Sequence, residues 1–347
     1  MQRDWVEQIY IEVFEDILNK SQKGSLTKKQ IKDAVSETFP ALTDATRQQV
    51  KKQSKVVLKQ HKNMMREFKR NLIKRWGKAL DLLEVFIAYN LDYGVTLAHS
   101  FRANNDKNVK FEVLLRLHAR SCQIASEILE LLKSGFADGA HARWRTLYEV
   151  SIFANFLNDK PESLSQKYLD YSIVESFHER MEFQKNCKRL GYKPFPKKEM
   201  DNAEKQITSL KVKYGNDFVK PYGWAVEYLP NTKRNFAGME ETTSLRHMRS
   251  FYKSANNYVH GGSKGFLYKW GLYKQDTVML AGPSNYGLAD PGQNTAYSLL
   301  HSTLGLTGFE TYLEDAIFIK VAESLIKELS DEFIKIQKQI ESEEKAL

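Results

Sequence analysis

The sequence predicts an all-α fold: a multi-helix bundle with an N-terminal helical arm, and a short β-hairpin or ordered loop near 266–287 as its one departure. Apolar residues recur at three- and four-residue steps through most of the 347 positions instead of alternating. Only 8 Pro and 18 Gly are present, too few for a turn-dense sandwich or barrel. With 42% hydrophobic residues the chain can fill a sizeable core, which excludes a disordered protein.

In chain order, Val6, Ile9, Tyr10, Val13, Phe14 and Ile17 form one face of a helix over 4–19, broken by Gly24 and Ser25. Thr27 is the expected N-cap of a short helix through Val35 that Pro40 ends. A long helix follows over 44–76, with Val57, Met64, Met65, Phe68, Leu72 and Trp76 on one face, and further helices over 78–103 and 108–133. Ser134-Gly135 stops the last of these, and the next spans 137–157. Pro161 opens another. Residues 191–198 (GYKPFPKK) interrupt the periodicity as a linker, 199–213 read as a surface helix, and 214–240 as a long irregular excursion. A helix over 242–259 ends at His260-Gly261-Gly262, and one long helix or a helix pair occupies 292–343.

Charge divides the chain unevenly. Of a net +9, the segment 45–80 holds 12 basic residues against a single acid, Glu67, whereas 310–347 holds 5 basic against 10 acidic. The expected organisation is a basic helical arm (1–95), a helical bundle core (96–305) and an acidic C-terminal helix (306–347). Lys55, Lys59, Lys62, Arg66, Lys69 and Arg70 form the basic stripe, which suits a phosphate backbone or an acidic protein face. The N-terminus carries acids throughout and no apolar run reaches membrane-helix length, so a cytoplasmic protein with no membrane partner is expected. Cys122 and Cys187 are too few for a disulfide framework or a cysteine zinc site.

The candidate site joins two helices. Arg145 and Glu149 stand four apart, so they share a face. Their neighbours, Trp144, Leu147, Tyr148, Val150, Ile152 and Phe153, make the helix apolar nearly all round, so buried charges there need partners. Tyr252, Asn256 and His260 follow at four-residue steps and form a polar stripe at a helix C-terminus, with Arg249 just upstream. Histidine is the usual general acid or base near neutral pH. The remaining histidines show no paired metal-ligand spacing. HExxH, CxxC, GxGxxG after a strand and GxxxxGK[ST] are all absent, so neither cofactor nor metal is expected.

The stretches ADGAHARWRTLYEVSIFANFL (137–157), KYLDYSIVE (167–175) and FYKSANNYVHGG (251–262) resemble the bacterial domain-of-unknown-function family fifty-six seventy-seven, over roughly 100–290. Carried over by position, its polar residues are Arg145, Glu149, Tyr252 and His260. A looser similarity is to the HEPN superfamily of RNA-cleaving toxins and phage-defence effectors, through Asn256 and His260. Ala255 stands where those proteins carry arginine. The resemblance implies a metal-independent ribonuclease. His260 would then be the proton-transfer group, Arg145 or Arg249 would stabilise the phosphorane, and Asn256 and Tyr252 would position the phosphate. The alternative is a non-catalytic helical sensor or assembly subunit binding a small polar ligand. RNA and a second copy of the chain, or a partner protein, are the expected partners.

Overall fold

The computed structural model describes residues 27–103, 107–260, 262–273, 279–309 and 312–346. The helix expected over 4–19, its break at Gly24 and Ser25, and Gly261 lie outside the described residues. Every regular element among the described residues is helical, so the protein is all-α.

Helix α1 is Lys28–Ala103. It starts where expected. The Thr27 backbone N–H donates to Gln30 Oε1 (2.9 Å) and the Gln30 N–H to Thr27 Oγ1 (3.4 Å), a reciprocal capping box. Pro40 does not end it but lies inside the 76-residue helix. Proline leaves the carbonyl four residues back without a donor. Ser36 and Pro40 are both exposed, so water can take that role. The chain divides into two compact units, residues 1–71 and 72–347. In the first, Val57 and Met64 are exposed rather than packed, and so are Lys55, Lys59, Lys62, Arg66, Lys69 and Arg70. None of these six cations forms an ion pair among the described residues. Asn63, Arg66, Glu67 and Arg70 line a shallow depression of about 400 Å³.

The second unit holds the core. It begins in α1 with Leu72 and Trp76, both fully buried. Next come α2 (Val109–Lys133), α3 (Ala137–Asn158), α4 (Glu162–Asn186) and α5 (Lys197–Tyr214). α2 is capped by Asn108, whose side chain accepts from the Phe111 N–H (2.9 Å). It ends in a Schellman motif: Gly135 (φ 78°) donates to the Leu132 carbonyl and Phe136 to that of Leu131, both at 2.9 Å. Two 3-10 turns (Asn216–Val219, Gly223–Tyr228) and the short helix α6 (Phe236–Glu241) order the 214–240 segment. Its aromatics hold it down: Trp224 meets Phe153, Phe156 and Tyr168 edge to face, and Phe218 meets Tyr171. A further 3-10 turn (Ser244–Met248) leads into α7 (Arg249–Val259), followed by α8 (Ser263–Leu267), α9 (Ala289–Leu304) and α10 (Tyr312–Lys345).

Helix α3 is central, packed against α2, α7 and α9. Trp144 is fully buried, and its Nε1 donates to the Asn294 carbonyl and to Ser298 Oγ, both at 2.9 Å. A buried side chain of this kind stabilises by roughly 1.5–3 kcal/mol. The acidic helix α10 pairs within this unit: Glu343 with Arg75 (2.6 Å) and Glu332 with Lys78 (2.8 Å). No strand occurs among the described residues of 266–287. Backbone groups that a hairpin would pair across strands go elsewhere. The Trp270 N–H donates to Asp138 Oδ1 (2.7 Å) and the Ser284 N–H to the Gly135 carbonyl (2.8 Å).

Candidate functional site

Helices α3 and α7 lie side by side in opposite senses. Arg145 and Glu149 of α3 meet Tyr252 near the start of α7, while His141, nearer the start of α3, has its ring 6.0 Å from that of Tyr258 near the end of α7. This arrangement sorts the expected site residues into two groups.

The first group closes on itself. Arg145 Nη2 pairs with Glu149 Oε1 (3.0 Å) and donates to the Tyr252 hydroxyl (3.1 Å), which in turn donates to Glu149 Oε1 (2.7 Å). The guanidinium also lies 5.1 Å from the Tyr252 ring centroid. Burial, then the Glu149 carboxylate, push the Tyr252 hydroxyl up to about 12. The Arg145 and Glu149 side chains keep 24% and 31% of their surface, so water reaches the triangle's edge. Tyr222 stands close by in the left-handed region (φ 59°), its hydroxyl raised by burial and by Glu149. Behind it lies a second closed set. The Tyr148 hydroxyl donates to the fully buried Glu240 (2.5 Å), and Glu240 forms an ion pair with Arg249. Arg249, expected to bind substrate, is thus held by a carboxylate of its own chain.

His260 is not part of that triangle. Eight residues separate it from Tyr252, which is about 12 Å along a helix axis. Its backbone N–H still reaches the Asn256 carbonyl (3.1 Å), and its imidazole is exposed. There it lines an open cavity of about 280 Å³ with Asp138, Asn257, Tyr258 and Lys269. Asp138 sits in the first turn of α3, and burial raises its carboxyl above the ordinary value against the opposing effects of the Trp270 N–H and Lys269. Asn256 lies between the two groups, its Oδ1 buried without a hydrogen-bond partner.

The structure therefore brings Arg145, Glu149 and Tyr252 together and seats His260 apart, with Asp138 and Lys269, which the sequence reading did not single out. A signal for Asp138 was present. It precedes Arg145 by seven residues, two helical turns on the same face. An antiparallel partner carrying Tyr252 and His260 eight apart aligns one pair with each end. Glu240 had no such signal, because it comes from the irregular 214–240 segment.

The larger cavity, about 600 Å³, adjoins this one through the shared walls Tyr258 and Lys269. No group of three or more His, Cys, Asp or Glu among the described residues is arranged to hold a metal ion, and no helix among them is long and apolar enough to cross a membrane. Residues 111–275 match the model of a family of unknown function (DUF5677), a span that includes the three stretches on which that resemblance was read. No curated protein and no solved structure matches the chain. Nothing in these comparisons supports the looser HEPN likeness.

Proposed function

We propose that this chain is an RNA-directed effector of the toxin or phage-defence type, a metal-independent endoribonuclease acting in the cytosol with His260 as its proton-transfer group. The observation that carries this reading is the His260 cavity. An exposed imidazole, a carboxyl of raised pKa and an ammonium line one open space large enough for a phosphodiester. In the reaction His260 takes the proton of a ribose 2′-hydroxyl, and the 2′-oxygen attacks the adjacent phosphorus. The bond from phosphorus to the 5′-oxygen breaks, and that oxygen receives the proton from the imidazolium. The products are a 2′,3′-cyclic phosphate and a 5′-hydroxyl. Lys269 carries the electrostatic role first expected of Arg145 or Arg249, since it lines the His260 cavity and neither guanidinium does. The exposed cations Lys55 to Arg70, without ion pairs among the described residues, suit the phosphate backbone.

The test is end-labelled single-stranded RNA incubated with the full chain in EDTA. Cleavage leaving cyclic-phosphate ends is expected, and His260→Ala is expected to slow it by about a hundredfold or more. Undiminished cleavage by His260→Ala overturns the assignment. Neutralising Lys55, Lys59, Lys62, Arg66, Lys69 and Arg70 together is expected to weaken RNA binding and to flatten its salt dependence by roughly 0.7 log units per lost phosphate contact.

A second reading, a non-catalytic sensor or assembly subunit, is favoured by the self-closed Arg145–Glu149–Tyr252 triangle and by Ala255, fully buried where HEPN proteins carry arginine. Saturable binding of RNA by a wild-type chain that never cuts it would select this reading.

A further inference from the structure

The cavity of about 600 Å³ lies within the size range of small-molecule sites and differs in chemistry from its smaller neighbour. Its walls are aromatic: Tyr258, Tyr268, Trp270, Tyr273 and Tyr286 all face it. Two of them are fixed from behind. The Trp270 backbone N–H is held by Asp138 (2.7 Å), and the Tyr286 hydroxyl donates to Glu344. Aromatic faces lining a cavity accept a planar ring by stacking, which for a nucleobase is worth roughly 1–3 kcal/mol.

The polar groups narrow the ligand further. Asp290, in the first turn of α9, lines the cavity and has no hydrogen bond or ion pair among the described residues. Burial raises its carboxyl above the ordinary value, so a donor brought to it relieves a cost the fold already bears. Lys264 and Lys345 stand on the same lining and are exposed. An aromatic slot, one partnerless carboxylate and cations at the rim suit a ligand that is flat, carries N–H donors on one edge and ends in phosphate. An organic cation would meet three lysines on this lining against two carboxylates, Asp290 and Glu341, the second of which already accepts from Gln337, and a plain phosphate would leave the aromatic walls and Asp290 unused.

We infer that this cavity is a nucleotide-binding site, in which the tyrosines and Trp270 stack the base, Asp290 accepts from its Watson–Crick edge, and Lys264 and Lys345 meet the phosphate. Two parallel acceptors on a carboxylate match guanine best, since its N1–H and exocyclic amine are adjacent. The nucleotide comes either free or as one residue of an RNA strand. The second source rests on the proposed RNA function: the walls shared at Tyr258 and Lys269 set a base bound here beside a phosphodiester at His260.

Titration of the full chain with GMP, UMP and inorganic phosphate, followed by tryptophan fluorescence and calorimetry, tests the site on the unaltered protein. Saturable GMP binding at least about tenfold tighter than UMP is expected, with phosphate weaker than both. Asp290→Asn is expected to remove most of that tenfold preference, and Lys264→Ala to weaken GMP more than guanosine. Failure of all three probes to bind, or equal affinity for GMP and UMP, overturns the inference. A guanine-containing trinucleotide that displaces GMP, where a uridine-only one does not, supports the site with RNA as the source. GMP binding that neither displaces supports it with the free nucleotide. GMP binding without RNA cleavage leaves this site standing and removes only the ribonuclease reading. RNA cleavage without base-selective mononucleotide binding removes only this site.

Discussion

The two ends of the α3–α7 pair each hold cationic and carboxylate side chains, to different effect. At one end an arginine, a glutamate and a tyrosine bond one another, with Glu240, Arg249 and Tyr148 doing the same behind them. At the other, His260, Asp138 and Lys269 line an open cavity. A polar group whose partners come from its own chain has its desolvation offset by the fold and serves stability. His260, exposed at the wall of a cavity, keeps its capacity for a ligand. Spacing along the helices makes the difference, since about 12 Å of α7 separates Tyr252 from His260.

Glu240→Gln should break the closed end most. It leaves the half-buried Arg249 without its carboxylate and weakens the bond that the Tyr148 hydroxyl makes there. Removing one partner of a buried pair costs on the order of 4 kcal/mol. Urea denaturation checks it, and a loss below about 1 kcal/mol would show that this end is not stabilised by its internal pairing.

A pH series sharpens the contrast between buried and exposed histidines. Burial lowers His118 and His141 to about 4 from the ordinary 6.5. The unfolded chain therefore binds more protons than the folded one between those values. Stability is full above pH 6.5 and falls as the pH drops towards 4, by about 2 kcal/mol per histidine at pH 5. Denaturation at pH 7.5 and pH 5, repeated on His141→Phe, should show about 2 kcal/mol of the pH-dependent loss removed.

Most helices were legible because their apolar faces are local patterns. α2, α3 and α4 follow the expected spans closely, and Ser134-Gly135 stops α2 as read. Pro40 was misread because an exposed helix lets water satisfy the carbonyl that a buried one could not. The hairpin expectation failed on tertiary grounds, since Asp138 and Gly135, distant in sequence, take the backbone donors of Trp270 and Ser284. At the site, four-residue spacing gave the Arg145–Glu149 pair and the Tyr252–Asn256–His260 stripe. It could not say that the stripe is longer than the cluster it was meant to join.

Tyr252→Phe tests the triangle more gently. It removes the hydroxyl that bridges Arg145 and Glu149 while their direct 3.0 Å pair and the ring packing remain. The expected loss is about 1 kcal/mol by urea denaturation. Arg145→Ala in the Tyr252→Phe background should then cost less than in the wild type, because the bond from Arg145 to the Tyr252 hydroxyl is already gone.

The smallest stability effect belongs to His260→Ala, and it bears most directly on the contrast. The imidazole is exposed and makes no hydrogen bond among the described residues, and the helix end is capped by the His260 backbone N–H, which alanine retains. The variant should unfold within about 0.5 kcal/mol of wild type. A loss of 2 kcal/mol or more, comparable to that of a buried histidine, would place His260 with the stabilising residues and erase the distinction between the two ends. An unchanged midpoint together with lost RNA cleavage would instead tie the exposed end to chemistry and the closed end to the fold.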